Sequence, residues 1–317
     1  MRVVFMGTPD FAVATLAAID QSEHELVGVV TAPDKPAGRG LKMQSSEVKK
    51  YALEKGSPIL QPQKLKDPEF IEALKKWHAD LFVVVAFRML PAEVYALPHK
   101  GTFNVHASLL PQYRGAAPIH WAIMNGETST GITTFFLNHE IDCGDIILQR
   151  KIDILPNETT GELYDRLKVL GAEVALKTLT LIEKGDITLQ SQEHVEKKIL
   201  KLAPKIHKED TIIDWNMSAN EIVNKIRGLS PYPGALTFLA NKDGKKVALK
   251  IFEATKTNEI SAEQAGKITT DEKSFLYIST KDFKISVQNL QIEGKNRQNI
   301  VPFLQGNKIY YYTIFIN

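Results

Sequence analysis

Apolar positions along the first half of the chain switch between two periods. The β-branched runs Val3–Met6, Leu26–Thr31, Leu81–Ala86 and Thr102–Val105 are apolar at nearly consecutive positions, as strands covered on both faces are. Between them, Phe11–Ile19, Ser46–Lys55 and Glu69–Trp77 carry their apolar residues at helical spacing. Pro9 stands at the start of the first predicted helix and Gly56 just past the second, where a missing N–H and a free φ cost least. Ile132–Leu137 and Ile146–Ile154 predict two more strands and Thr160–Lys184 a long helix. This alternation predicts an α/β fold of βαβ units around a mostly parallel sheet.

The pattern changes beyond Ile187. Periodicity weakens and charge rises through Ile187–Lys208, which reads as a linker. Past it come short alternating runs: Leu236–Ala240 and Val247–Phe252 on either side of Asp243-Gly244, a hairpin turn signal, then Phe275–Ser279 and Phe283–Val287. These predict a small β-rich domain closed into a barrel. The expected division is 1–186 for the α/β domain, 187–208 for the linker and 209–317 for the β-rich domain, in keeping with about two domains for a chain of this length.

Composition adds exclusions. An apolar share of 44% with 24% charged residues is that of a globular chain and excludes disordered and fibrous classes. No apolar run approaches the roughly 18 residues of a membrane span. Arg2 and the apolar residues after it resemble a signal peptide faintly, but Thr8-Pro9-Asp10 breaks the run, so a cytoplasmic start is expected. The one cysteine, Cys143, excludes an internal disulfide and a multi-thiolate zinc site. Net charge is only +2, but it splits: residues 205–317 hold 16 Lys+Arg against 12 Asp+Glu, a net +4, leaving −2 for the rest. A basic β tail suits a polyanion, although a solvated surface reads equally well on charge alone.

Three stretches carry candidate chemistry. In Thr102–His106, side chains at i and i+2 share a face, so Asn104 and His106 project together at a strand's carboxyl end, where open α/β sheets bind ligands. That places an amide donor and a titratable base in one cleft, followed by Ser108-Leu109-Leu110-Pro111, with Leu110–Pro111 a candidate cis bond. Asn138–Asp145 is a polar loop with carboxylates flanking Gly144, able to orient an imidazole or simply to face water. Cys143 has no base or helix N-terminus beside it and reads poorly as a nucleophile. Pro33–Lys42 is a Pro/Gly-rich loop with Lys35, Arg39 and Lys42, suited to phosphate contact or to ordinary exposure. Gly7-Thr8-Pro9-Asp10 lacks dinucleotide spacing, and no H-E-x-x-H, C-x-x-C or P-loop motif occurs.

Together these stretches closely resemble the methionyl-tRNA formyltransferases, within the family that uses 10-formyltetrahydrofolate. The resemblance rests on G-T-P-D-F-A (Gly7–Ala12), A-P-D-K-P-A-G-R-G (Ala32–Gly40), N-V-H-A-S-L-L-P-x-Y-R-G-A-A-P-I (Asn104–Ile119) and I-D-C-G-D (Ile141–Asp145). It continues through I-D-W (Ile213–Trp215) to N-K-I-R-G-L-S-P-Y-P-G-A (Asn224–Ala235). It implies a Rossmann-like catalytic domain and an OB-like domain that helps hold tRNA. The family's catalytic Asn, His and Asp fall on Asn104, His106 and Asp142, and its folate-contacting segment on Ser108, Leu109, Leu110 and Pro111. Its flexible loop near the acceptor stem falls on Asp34–Lys42, with Lys35, Arg39 and Lys42 the expected RNA contacts. The usual bacterial A-Y-G-x-I-L-P is here Ala86-Phe87-Arg88-Met89-Leu90-Pro91, one residue shorter. Its Arg88, Met89 and Leu90 resemble the R-I-L of glycinamide ribonucleotide transformylases and are expected at the folate. Cys143 replaces the more common threonine.

The resemblance implies formyl transfer from 10-formyltetrahydrofolate to methionyl initiator tRNA. The expected protein is monomeric and cytoplasmic, with no metal and no membrane partner. Competing readings are a formyltransferase for a nucleotide sugar or purine precursor, a 10-formyltetrahydrofolate hydrolase, and a non-catalytic RNA-binding protein.

Overall fold

The computed structural model describes residues 1–37, 42–192, 200–240, 246–307, 309 and 313–314. The chain begins with β1 (Arg2–Gly7), α1 (Asp10–Asp20), β2 (Glu25–Val30), a hairpin of β3 (Lys35–Ala37) and β4 (Lys42–Gln44), α2 (Glu47–Glu54) and β5 (Ile59–Leu60). Next come α3 (Pro68–Lys75), β6 (Leu81–Val85), α4 (Ala92–Tyr95), β7 (Thr102–His106), α5 (Pro118–Met124), β8 (Ser129–Phe136), β9 (Ile146–Asp153) and α6 (Thr160–Lys184). The rest holds α7 (Ala219–Gly228), β10 (Ala235–Ala240), β11 (Lys246–Ile260), β12 (Ile268–Thr270), β13 (Leu276–Ser279), β14 (Phe283–Ile292), β15 (Gln298–Asn299), α8 (Ile300–Gly306) and β16 (Thr313–Ile314).

Two compact units divide these elements. The first is Met1–Gly115 with Ser129–Asp153 and Tyr164–Leu202, and the second is Ala116–Thr128, Ile154–Leu163 and Ala203–Asn317. In the first, seven strands run in the order β5-β2-β1-β6-β7-β8-β9. The five from β5 to β7 are parallel, and β8 and β9 join antiparallel at one edge. This is the mostly parallel sheet that the alternation predicts, with the Rossmann-like form that the resemblance implies. Val3, Val4, Phe5 and Met6 of β1 and all of Leu81–Val85 in β6 are buried, because both faces of the central strands are covered. On one face Val4, Met6, Phe82 and Val84 pack with Phe70 and Leu74 of α3.

The strand order reverses between β1 and β6, and the crevice beyond their carboxyl ends is where this architecture admits ligands. Gly7 ends β1 there. A Cβ on it would stand 2.7 Å from the Cβ of Ala12 and 3.0 Å from the carbonyl oxygen of Val85, so only glycine lets α1 start this close to the sheet. Gly171 of α6 faces Val105 and Ile132, where a Cβ would make only ordinary contacts of 3.6 and 3.7 Å.

The second unit is a β-rich sheet with strand order β12-β13-β14-β11-β10-β16, antiparallel at each pairing. β10 and β11 pair from Ala235 with Ile251 to Ala240 with Lys246, while the predicted turn Asp243-Gly244 lies outside the described residues. Register shifts bend β11, which runs on to Ile260 past its apolar core, with a distal half that is polar and exposed. Ile222 and Ile226 of α7 and Phe303 and Leu304 of α8 share one core with Leu249, Ile251, Ile285 and Val287. The sequence reading assigns no element to α7, although Ser218 and Glu221 form a full capping box at its start.

Candidate active site

β7 runs antiparallel to β8 with His106 opposite Thr133 and Asn104 opposite Phe135, and parallel to β6 with Asn104 beside Val84. Asn104 and His106 therefore share one face at the carboxyl end of β7. His106 is buried, and its ring stands edge-on to Phe135 with centroids 6.4 Å apart. Its Nε2 lies 2.9 Å from the carbonyl oxygen of Tyr113. A carbonyl only accepts, so Nε2 carries the hydrogen, and in the neutral ring Nδ1 is the basic nitrogen. Nδ1 faces Asp142 Oδ2 at 3.8 Å, an ion-pair distance too long for a direct hydrogen bond. The backbone of Tyr113, rather than the aspartate, sets the ring's orientation.

Asn104 Oδ1 is buried with no hydrogen-bond partner among the described residues. A buried amide oxygen left this way costs free energy unless a bound group donates to it.

Asp142 sits on the turn after β8 with φ of 55°, a conformation that disfavours most side chains. Its Oδ2 accepts from the backbone N–H of Gly115 at 2.9 Å, which aims the carboxylate at His106. Gly144 makes the turn feasible: a Cβ there would overlap the carbonyl oxygen of Phe136. Gly144→Ala is expected to lose about 1–3 kcal/mol in denaturant unfolding, as overpacked sites do. Burial pushes the Cys143 thiol up, opposed by the Arg114 guanidinium, which keeps it a thiol at neutral pH.

The segment after β7 is tied down by its own polar groups. Ser108 Oγ donates to the carbonyl of Gln112 at 2.7 Å, and Thr133 Oγ1 donates to that of Ser108 at 2.6 Å. Leu110 N donates to Thr133 Oγ1, and Gln149 Nε2 donates both to Thr133 Oγ1 and to the carbonyl of Leu110. Leu110–Pro111 is cis, Leu109 is half-buried, and Leu110 is buried with Phe135 and Ile146.

Arg88, Met89 and Leu90 have three different settings. Arg88 donates from Nη1 and Nη2 to the carbonyls of Gln63 and Pro62, and burial lowers its pKa. Met89 is 64% exposed, whereas Leu90 packs in the core with Val94. In the loop after β2, Lys35 is exposed in β3 and Lys42 pairs with Ala37 in backbone register, while Arg39 lies outside the described residues. Asp34 at the loop's base is bonded to Lys49 at 2.6 Å and to Gln61, and the Lys49 ammonium holds its carboxyl below the usual range.

Sequence reasoning missed Thr133, Gln149 and Gln192. The first two become visible only once β8 and β9 are known to pair antiparallel beside β7. Gln192 lies in what reads as linker; it is buried and bonded to the Asp142 turn.

Residues 1–179 match the family described as formyl transferase, and residues 205–308 match the formyl transferase C-terminal domain. The chain is 49% identical over 307 residues to a protein of Bacteroides fragilis named methionyl-tRNA formyltransferase, covering 96% of this chain and 95% of that one. A protein of the same name from Parabacteroides distasonis is 49% identical over 318 residues, covering 99% and 98%. Among solved structures, HypX from Aquifex aeolicus in complex with tetrahydrofolic acid superposes with a TM-score of 0.63 at 21% identity. That match covers 96% of this chain and 47% of HypX, so the chain spans about half of that protein, and the likeness concerns the fold alone. With both of its parts matched and relatives half identical along nearly their whole length, this chain belongs to the formyl transferase family.

Proposed function

We propose that this chain transfers the formyl group of 10-formyltetrahydrofolate to the α-amino group of methionine esterified to initiator tRNA. One arrangement carries the proposal: Asn104, whose Oδ1 is buried with no partner among the described residues, shares a strand face with His106, whose basic nitrogen stands 3.8 Å from Asp142. The names of the B. fragilis and P. distasonis relatives support the acceptor. In the same reading residues 1–186 are the catalytic domain, 187–208 the linker and 209–317 an OB-like domain that contributes to tRNA binding.

The residues present fit a folate cosubstrate, because the buried Asn104 Oδ1 is an acceptor with no partner among the described residues and Ser108–Pro111 are preset by Thr133 and Gln149. When bound, 10-formyltetrahydrofolate supplies a formyl carbon open to attack by an amine. The Asn104 amide N–H donates to the formyl oxygen, where negative charge develops, and donors placed there act most strongly in the transition state. His106 Nδ1 takes the proton that the attacking amine loses and passes it to N10 as the bond between the formyl carbon and N10 breaks and tetrahydrofolate leaves, while Nε2–H stays on the Tyr113 carbonyl. The Asp142 carboxylate stabilises the resulting imidazolium. Arg88 shapes the neighbouring loop through the Pro62 and Gln63 carbonyls, with exposed Met89 beside it. No step is assigned to a metal.

The test is to incubate the protein with 10-formyltetrahydrofolate and methionyl-tRNA and to ask what becomes formylated. Formyl-methionyl-tRNA is the expected product. Formate release alone would favour a hydrolase, transfer only to an amino sugar or purine precursor would favour another branch, and RNA binding without turnover would favour a non-catalytic role.

The reading also assigns phosphate contacts to Lys35, Arg39 and Lys42. Replacing Arg39 and Lys42 by Ala is expected to flatten the dependence of log K for tRNA on log salt by up to about one unit for each phosphate that is no longer neutralised. Folate affinity should stay unchanged, because Ser108–Pro111 lie on another loop. A salt slope and affinity equal to those of the unmodified protein would make the loop an ordinary connection.

A further inference from the structure

The Asp142 turn is held from a residue fifty positions further along the chain. Gln192 is 4% exposed, and its Nε2 donates to the carbonyl oxygens of Gly144 at 2.6 Å and Asp142 at 3.3 Å. Its Oε1 accepts from Arg114 Nη2 at 2.9 Å. Arg114 and Gly115 are adjacent in the chain, and Gly115 N is the donor that binds the Asp142 carboxylate. One buried amide thus joins the two segments whose spacing sets the 3.8 Å between Asp142 and His106. Its donors meet the backbone where φ is positive at a non-glycine residue, a conformation that persists only when neighbours over-determine it.

We infer that Gln192 is a positioning residue of the formyl-transfer site, acting through Asp142. This inference rests on the reading of the site given above. Gln192 touches no reacting atom. Its amide holds the turn on both carbonyls and passes the position of Arg114 and Gly115 to the carboxylate. Both ends of the amide are needed, and this separates Gln192 from a residue that only fills space. Gln192→Glu retains the volume and a partner for Arg114, yet it sets a carboxylate against two carbonyl oxygens that require a donor.

Gln192→Ala is expected to lower kcat by about 10-fold to 100-fold, with the KM for the formyl donor within about threefold, as a displaced catalytic group does. Gln192→Glu should lose as much despite its Arg114 partner. In an Asp142→Asn background, Gln192→Ala should cost less than about a further twofold, because the residue it positions is already disabled. Hydrogen exchange at the Gly115 amide should speed up in Gln192→Ala, while amides of β1 keep their rates. A kcat near that of the unmodified protein in either single variant would overturn the inference. So would an undiminished loss in the Asp142→Asn background. If the unmodified protein formylates no methionyl-tRNA, the functional reading fails by itself. Exchange at Gly115 then decides the positioning role, and an unchanged rate overturns it.

Discussion

Asn104→Ala should lower turnover by about 10²–10³, the usual cost of removing one donor from a developing oxyanion. The ground for this expectation is the strand face that Asn104 shares with His106, with an amide able to donate through Nδ2 while its Oδ1 is buried with no partner among the described residues. That oxygen carries a desolvation cost that an apolar residue of similar size would avoid. Binding of the folate, measured with a non-reactive analogue, should change little, because the donor acts mainly as charge develops. Turnover close to that of the unmodified protein would remove Asn104 from the mechanism.

His106→Gln should lower the single-turnover rate by about 10²–10⁴, the range for a lost general base. Glutamine presents an N–H that can replace the bond from Nε2 to the Tyr113 carbonyl, so the local fold should persist. What it lacks is a titrating nitrogen facing Asp142. Thermal unfolding separates the outcomes. A stable variant with unimpaired single-turnover chemistry would show that His106 only packs against Phe135.

The two residues were legible together for a simple reason. A strand repeats every two residues, so N-V-H at its carboxyl end places both polar side chains on one face whatever the strand packs against. The histidine's protonation pattern was not legible. Its Nε2 partner is a backbone carbonyl seven residues on, presented by Tyr113 at φ of 62° after a cis Leu110–Pro111 bond. Asp142 was legible through resemblance, but periodicity left it as one acid in a polar loop. Only its bond from Gly115 and its place beside His106 distinguish it.

The sequence by itself determined the longer strands and helices of the first unit, because uninterrupted β-branched runs and helical spacing are local properties of the chain, whereas the short β3, β4, β5 and α4 are too brief to show either pattern. It also determined that Asn104 and His106 lie on one face, and that glycine ends β1, where any Cβ would meet Ala12. Only the tertiary structure decided the antiparallel edge, since β8 reads the same whichever way its neighbour runs. That edge set Thr133 opposite His106 and beneath the Ser108–Pro111 segment. It likewise decided that Gln192, in a stretch with no periodicity, belongs to the Asp142 turn. Hydrophobic spacing encodes which face of an element is buried, whereas a hydrogen bond between residues fifty positions apart depends on where the finished fold brings two backbones together.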